Sequence, residues 1–347
     1  MLLLSMVACG EDEDEATSDA AGDLDPNEEL EPLDPARTVR LGVVGAYSDA
    51  PLYLAIERGY FDRFGIEIEL SNFANSGEMV APLGSDQLDV GGGAVAPGLW
   101  NAAARGIDVR AFADKGSNAE GFGYSGFIVA PGSSIDSCED LEGKRLGISA
   151  TSNGVLHSQE IFLNSCDLSL EDVETEVLGF SEMTTAVDQG SLDAAYSIEP
   201  LMTIAESEGL AEIWLREDEI RDSQQAILLA SPGFRDDREL ASRFAVAYAL
   251  GVRDYREAVI EGEGPVPEEF IDILVDNTSL EDRALYEEVV PAFMAEHGAL
   301  NLEAMRSDFE WFKERGDIES DDVQFEDAVD TSYVEFAEAY LDANPGS

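Results

Sequence analysis

The sequence predicts an α/β protein of two lobes, and three observations carry that expectation. From residue 38 onward β-rich runs alternate with helical runs, which argues for largely parallel sheets. The alternation restarts after the turn-rich stretch 131–137, so a second α/β unit stands inside the first. Beyond Pro232 the pattern changes to amphipathic helices that continue to residue 343. A chain of 347 residues is long enough for two such units.

Each element has a local reason. Residues 38–45 (TVRLGVVG) form a β-rich run, and 51–58 read as a helix stopped by Gly59. The alternation IEIEL at 66–70 suggests a half-exposed strand, and 77–84 a second helix. Short apolar runs at 88–90 and 109–113 read as strands flanking a helix at 96–104, and 127–130 (FIVA) as another strand. The restarted alternation places strands at 146–148, 176–179, 194–197 and 211–215, with helices at 154–164, 183–189 and 201–208 between them. Residues 225–230 (QAILLA) read as a returning strand. Helices are then expected at 244–255, 267–275, 280–293, 302–312 and 333–340. The expected organisation is lobe 1 at 38–130, an inserted lobe 2 at 131–224, and completion of lobe 1 with C-terminal helices at 225–347.

The N-terminal end reads differently. Residues 2–8 are apolar but too short for a bilayer, which needs about 20 residues. They look like the end of a signal peptide, and Met6-Val7-Ala8-Cys9 resembles a bacterial lipobox with Cys9 as the lipidated residue. Residues 1–9 are therefore expected to be a partial lipoprotein signal peptide. Residues 10–37 are expected to be a disordered tether, because twelve acidic residues, several Pro and Gly and no aromatic fall in 10–36. The plainer alternative is an acidic leader with an incidental cysteine. Cys138 precedes a predicted strand and Cys166 follows the helix returning from its far end, so both are expected at one edge of a sheet. They form either a disulfide or two free buried thiols. Too few Cys and His remain for a structural zinc site, and no metal or cofactor is expected.

Charge bounds the partners. There are 74 Asp and Glu against 20 Lys and Arg, a formal net charge of −54, and only three of the basic residues are lysines. Nucleic acid and polybasic membrane contacts are excluded by such a balance. Many carboxylates with few lysines suit a halophile, where molar salt shortens the Debye length to about 3 Å; an acidic secreted protein of a mesophile is the alternative.

In open α/β sheets ligands bind outside the carboxyl ends of the strands, where helix N-termini expose N–H groups. The turns at 46–51, 92–97, 149–154, 180–184 and 197–201 all fall at such predicted ends. Hydroxyls and amides at the start of the 154–164 helix favour an anionic or strongly polar group; an ordinary helix cap by Ser152 or Asn153 is the alternative.

At these residues the chain resembles a known family. The stretch 51–61 (PLYLAIERGYF), then Phe64-Gly65-Ile66-Glu67-Ile68, Asp89-Val90-Gly91-Gly92-Gly93, 102–109, 140–149 and 190–200 follow one another as in the nitrate/sulfonate/taurine and thiamine-pyrimidine-precursor binding proteins of ABC importers. The resemblance covers about 38–230. It implies a type-2 periplasmic-binding fold, two α/β lobes on a hinge with a cleft between them. It also implies a small-molecule ligand, a permease with a cytoplasmic ATPase, and a lipid-anchored place on the extracytoplasmic face of the membrane; a monomer is expected. The ligand would be sulfonate- or taurine-like or aminopyrimidine-like. The cleft residues expected from strand-end placement and the resemblance are Tyr47, Ser48, Asp49, Tyr53, Gly93, Ala94, Tyr124, Ser149, Thr151, Ser152, Asn153, Phe180 and Glu199. A carboxylate such as Glu199 suits an amine-bearing heterocycle and opposes a sulfonate unless a cation pairs with it.

The family also resembles yeast-type pyrimidine synthases, which carry a cysteine-rich motif and a reactive histidine. Here His157 and His297 stand apart and no cysteine cluster exists, so no enzyme is expected. A synthase on the same fold and a membrane-tethered ligand sensor are the alternatives.

Overall fold

The computed structural model describes residues 24–73, 76–262, 264–278, 280 and 282–346. Cys9 and the expected signal peptide lie outside the described residues. Within them, two five-stranded sheets form. The strands in chain order are β1 (Arg37–Val43), β2 (Ile66–Asn72), β3 (Val90–Ala94), β4 (Arg110–Asn118), β5 (Ser125–Val129), β6 (Arg145–Ile148), β7 (Glu174–Val177), β8 (Ala194–Ile198), β9 (Glu212–Arg216) and β10 (Ser223–Ala230). The first sheet has the order β2-β1-β3-β10-β4 and the second β7-β6-β8-β5-β9. In each, one strand runs against the rest: β10 pairs antiparallel with β3 and β4, and β5 with β8 and β9.

This topology moves the expected lobe boundary. The run at 127–130 is not the end of lobe 1, because β5 is the inner antiparallel strand of the second sheet. The chain crosses between Asn118 and Ser125 and returns between Arg216 and Ser223. An all-apolar run fits the middle of either sheet equally well, so composition could not assign it.

The expected tether at 10–37 does not hold for its second half, while its residues 10–23 lie outside the described residues. Leu30 and Leu33 are buried in the lobe 1 core, Leu33 N donates to Phe64 O at 3.0 Å, and Arg243 Nε donates to Glu31 O at 3.0 Å. Gly65 makes this possible. Its φ is +70°, and a Cβ there would lie 2.5 Å from the Leu33 carbonyl oxygen.

Lobe 1 is packed around the 22-residue helix Arg238–Val259, capped by Asp237, whose carboxylate accepts from Leu240 N at 3.2 Å. Phe244 from this helix meets Phe61 (centroids 4.9 Å) and Phe234 (5.5 Å). The helix expected at 280–293 is reduced to a 3-10 turn at Arg283–Glu287. The pair Val289-Val290 followed by Pro291 disfavours helix there, since the residue before a proline is pushed toward extended backbone. In lobe 2 the helix Gly154–Asn164 buries Leu156 and Leu163 beside Phe127, Leu146 and Tyr196. Cys138 and Cys166 are joined as a disulfide, with Cα atoms 6.0 Å apart. No helix of the described residues is long and apolar enough to cross a membrane.

Candidate functional site

The strand directions bring two sets of chain ends face to face. In the first sheet the C-terminal ends of β1, β3 and β4 share an edge with the start of β10. In the second, the ends of β6, β8 and β9 share an edge with the start of β5. Both crossings leave from these edges, so the edges oppose one another across a cleft.

On the lobe 1 side, the turn after β1 carries Tyr47, Ser48 and Asp49, all buried. Lys115 of β4 reaches this turn: its Nζ is 2.6 Å from Asp49 Oδ1 and donates to Ser48 Oγ at 2.9 Å. The other Asp49 oxygen accepts from Ala46 N at 2.9 Å, closing the turn on itself. Gly92 makes room for the lysine, since a Cβ there would fall 2.8 Å from Lys115 Cε. Beside it, Asp114 accepts from Gly116 N (2.8 Å), Ser117 Oγ (3.0 Å), Gln224 Nε2 (2.6 Å) and Ala295 N (3.1 Å). Burial nevertheless outweighs these donors and pushes its carboxyl up to about 6.

On the lobe 2 side, Glu199 at the end of β8 is sealed and paired with Arg216 at the end of β9, Nη2 to Oε1 at 2.9 Å. Thr203 N and Oγ1 donate to the same carboxylate, each at 3.1 Å. Burial raises the Glu199 pKa, opposed by the Arg216 charge. The lobes feel one another here: burial foremost pushes the Tyr47 hydroxyl up, with Tyr286 and then Glu199 across the cleft adding to the shift. Tyr124, where the chain enters lobe 2, accepts the Glu199 amide on its carbonyl at 2.7 Å. Deeper at the crossings, Glu217 accepts from Ser158 Oγ (2.6 Å), Ser125 Oγ (2.9 Å), Tyr196 and Gln225.

The thirteen residues expected at the cleft separate into groups. Tyr47, Ser48, Asp49, Tyr124 and Glu199 converge on the facing edges. Gly93 and Ala94 end β3 there, Ala94 exposed and Gly93 leaving room for Leu229. Tyr53 packs in the lobe 1 core, and Phe180 opens the helix Phe180–Asp188 against the Met183–Met202 cluster. In the turn 149–153, Ser149, Thr151, Ser152 and Asn153 each make a contact with other protein atoms. Asn153 Oδ1 caps Leu156 N at 2.8 Å and its Nδ2 donates to Ser149 Oγ at 3.3 Å. Ser152 Oγ donates to Asp317 Oδ2 of lobe 1 at 2.6 Å, and the Thr151 carbonyl accepts from Arg315 at 3.2 Å. Sequence reading missed Arg216, Asp114, Glu217, Gln224 and Gln225. Their signal is weak, because a polar residue beside a strand usually marks its exposed end. The strand expected at 109–113 continues through the polar second half of β4 (DKGSN), which is wholly buried. Among the described residues no group of three or more His, Cys, Asp or Glu is placed to hold a metal ion.

Two facing α/β lobes crossed twice by the chain are the architecture of the periplasmic binding proteins, and solved structures share it. The ligand-binding component of an ABC-type import system from Staphylococcus aureus, solved with zinc bound, superposes with a TM-score of 0.71 at 13% identity, over 87% of this chain and 99% of that one. The alkanesulfonate-binding protein SsuA from Xanthomonas axonopodis pv. citri, bound to MOPS, gives 0.65 at 18% identity, over 84% and 97%. The sequence profile described as NMT1/THI5 like matches residues 47–258, more than half of the chain, and the chain belongs to this NMT1/THI5-like family. A Brucella abortus protein named as a binding protein is 25% identical over 252 residues, 71% of this chain and 75% of its own length. The 4-amino-5-hydroxymethyl-2-methylpyrimidine phosphate synthase of Schizosaccharomyces pombe is 34% identical over 97 residues, and this chain spans only 27% of its length.

Proposed function

We propose that this protein is the solute-binding component of an ABC importer, which captures a small polar organic solute between its lobes and hands it to a membrane permease driven by a cytoplasmic ATPase. A lipid on Cys9 would hold it to the outer face of the cytoplasmic membrane. The observation that carries this reading is the placement of one buried ion pair on each facing edge, Asp49–Lys115 in lobe 1 and Glu199–Arg216 in lobe 2. A solute bridging these edges gains hydrogen bonds only when the lobes meet, which couples binding to closure.

The pairing of Glu199 bears on the solute. A bare carboxylate would repel a sulfonate, but Arg216 neutralises it and offers N–H donors at the same edge. A sulfonate- or taurine-like solute and an aminopyrimidine-like one both fit this mixed edge, the first through Arg216 and the second through Glu199. The resemblance to the yeast synthase favours the second. The synthase reaction itself lacks support here, because His157 is engaged by Asp308 and Trp311 and the two described cysteines are joined to each other.

The test is thermal unfolding in molar KCl with alkanesulfonates, taurine, aminopyrimidines and nitrate. A true solute at a hundredfold excess over its Kd adds about 2.7 kcal/mol of stability. Stabilisation by an organic solute that is recovered chemically unchanged is expected. Failure of every class, or turnover of one, would overturn the reading.

A further inference from the structure

The lobes are joined at a second place, on the side of the cleft formed by the helices Gly154–Asn164 and Leu302–Arg315. The first helix belongs to lobe 2, through Leu156 and Leu163. The second belongs to lobe 1, where Met305, Phe309 and Phe312 pack with Trp100, centroids 5.1 Å for Trp100–Phe309. Between them lies Asp308, fully buried. Its Oδ1 is 2.6 Å from His157 Nδ1 and accepts from Arg221 Nη2 at 2.7 Å. Arg221 Nη2 also donates to the Gly154 carbonyl at 3.0 Å.

One turn further, the Trp311 ring stacks on His157, centroids 4.7 Å apart and planes 14° from parallel. Trp311 Nε1 donates to Glu160 Oε2 at 2.5 Å, and Arg315 lies over the other part of the stack, 4.5 Å from the indole centroid. Trp311 packs against the cores of both lobes. The turn before the lobe 2 helix adds Ser152 to Asp317 and Arg315 to Thr151, and Gly154 N donates to Val95 O at 3.0 Å. Gly154 leaves room for this approach, since a Cβ would stand 2.7 Å from Asp308 Oδ2.

We infer that Asp308, with His157, Arg221 and Trp311, forms a latch between the lobes that acts through protein atoms alone and sets how much of the protein is closed before solute arrives. The inference rests on the cleft being the solute site. Separating the helices would break the contacts of Asp308 with His157 and Arg221 and expose one face of Trp311, so the lost packing and hydrogen bonds oppose opening without help from a solute. A protein held closed presents an assembled site, and its apparent affinity follows the closed fraction.

The experiment uses the full chain in molar KCl with no solute added. Small-angle scattering reports the separation of the lobes, and amide exchange at Gly154 reports its bond to Val95. Asp308→Ala and Trp311→Leu are each expected to raise the radius of gyration. Each should also speed exchange at Gly154 about tenfold or more, the loss of one charge-assisted hydrogen bond. Amides in the core strands β8 and β10 should stay as in the wild type. Should Asp308→Ala fail to fold, Ser152→Ala removes one half-exposed latch contact and must move the same two readouts in the same direction. Scattering and Gly154 exchange identical to wild type in the folded variants would overturn the latch. Neither readout involves a solute, so a thermal screen without hits would count against the transport reading and leave this result standing.

Discussion

Lys115 Nζ lies 2.6 Å from Asp49 Oδ1, and both side chains are closed to water, at 3% and 0% exposure. The pair ties the middle of β4 to the turn after β1, two segments far apart in sequence, and it forms the floor of the lobe 1 side of the cleft. A buried pair of this kind holds geometry more than it adds stability, because each charge has lost its hydration. Its value lies in fixing Tyr47 and Ser48 at the cleft edge.

Lys115→Met should therefore cost about 3–5 kcal/mol, since it leaves Asp49 charged and unpaired in the interior. Adding Asp49→Asn to the same chain should recover most of the loss. Urea unfolding in molar salt measures both, and a double variant no more stable than Lys115→Met would show that the pair is not an isolated charge couple.

The acids of the cleft predict a pH dependence of one sign. Burial lifts Asp114 to about 6 from an ordinary 3.8 and moves Glu199 and Glu217 in the same direction. A folded pKa above the unfolded one means that the native state binds more protons between the two values, so stability falls as pH rises through that window. For Asp114 the window runs from about 4 to about 6 and the loss is on the order of 3 kcal/mol. Urea midpoints of the wild type and Asp114→Asn, compared across this range in molar salt to screen the surface acids, should converge as pH falls. Parallel curves would contradict the assignment.

Leu33→Ala tests the reassigned N-terminal segment. Leu33 is buried at 9% exposure in the lobe 1 core, and truncating a buried leucine costs about 2–5 kcal/mol. An acidic tether would show no change. A shift in the thermal midpoint of the lobe 1 transition is expected, with limited proteolysis then cutting closer to β1.

How much was legible in the sequence depends on what each residue's neighbours do. The helix 154–164 was placed correctly because its apolar period and its Asn153 cap are local facts. Tyr47, Ser48, Asp49 and Glu199 are legible as strand-end residues because they follow predicted strands, and strand ends are where α/β sheets expose their chain ends. Arg216 was invisible as a partner of Glu199, since only the position of β9 beside β5 brings β9's end to that edge. Likewise Ser152 and Thr151 read from sequence as polar donors at a helix start. Lobe 1 supplies Asp317 to the Ser152 hydroxyl and Arg315 to the Thr151 carbonyl, contacts with no trace in local pattern.

Taken alone, the sequence determined the α/β class, the two-lobe plan with a double crossing, the family resemblance and the acidic charge of −54. These are properties of periodicity, ordered motifs and composition, which are written along the chain. The tertiary structure alone decided that β5 belongs to the second sheet, that residues from Leu30 onward pack on lobe 1, and that each cleft cation already has an acid beside it. Such decisions turn on which distant segments lie within 3 Å of one another. Burial makes those short-range pairings obligatory for charged groups, and no local pattern records them.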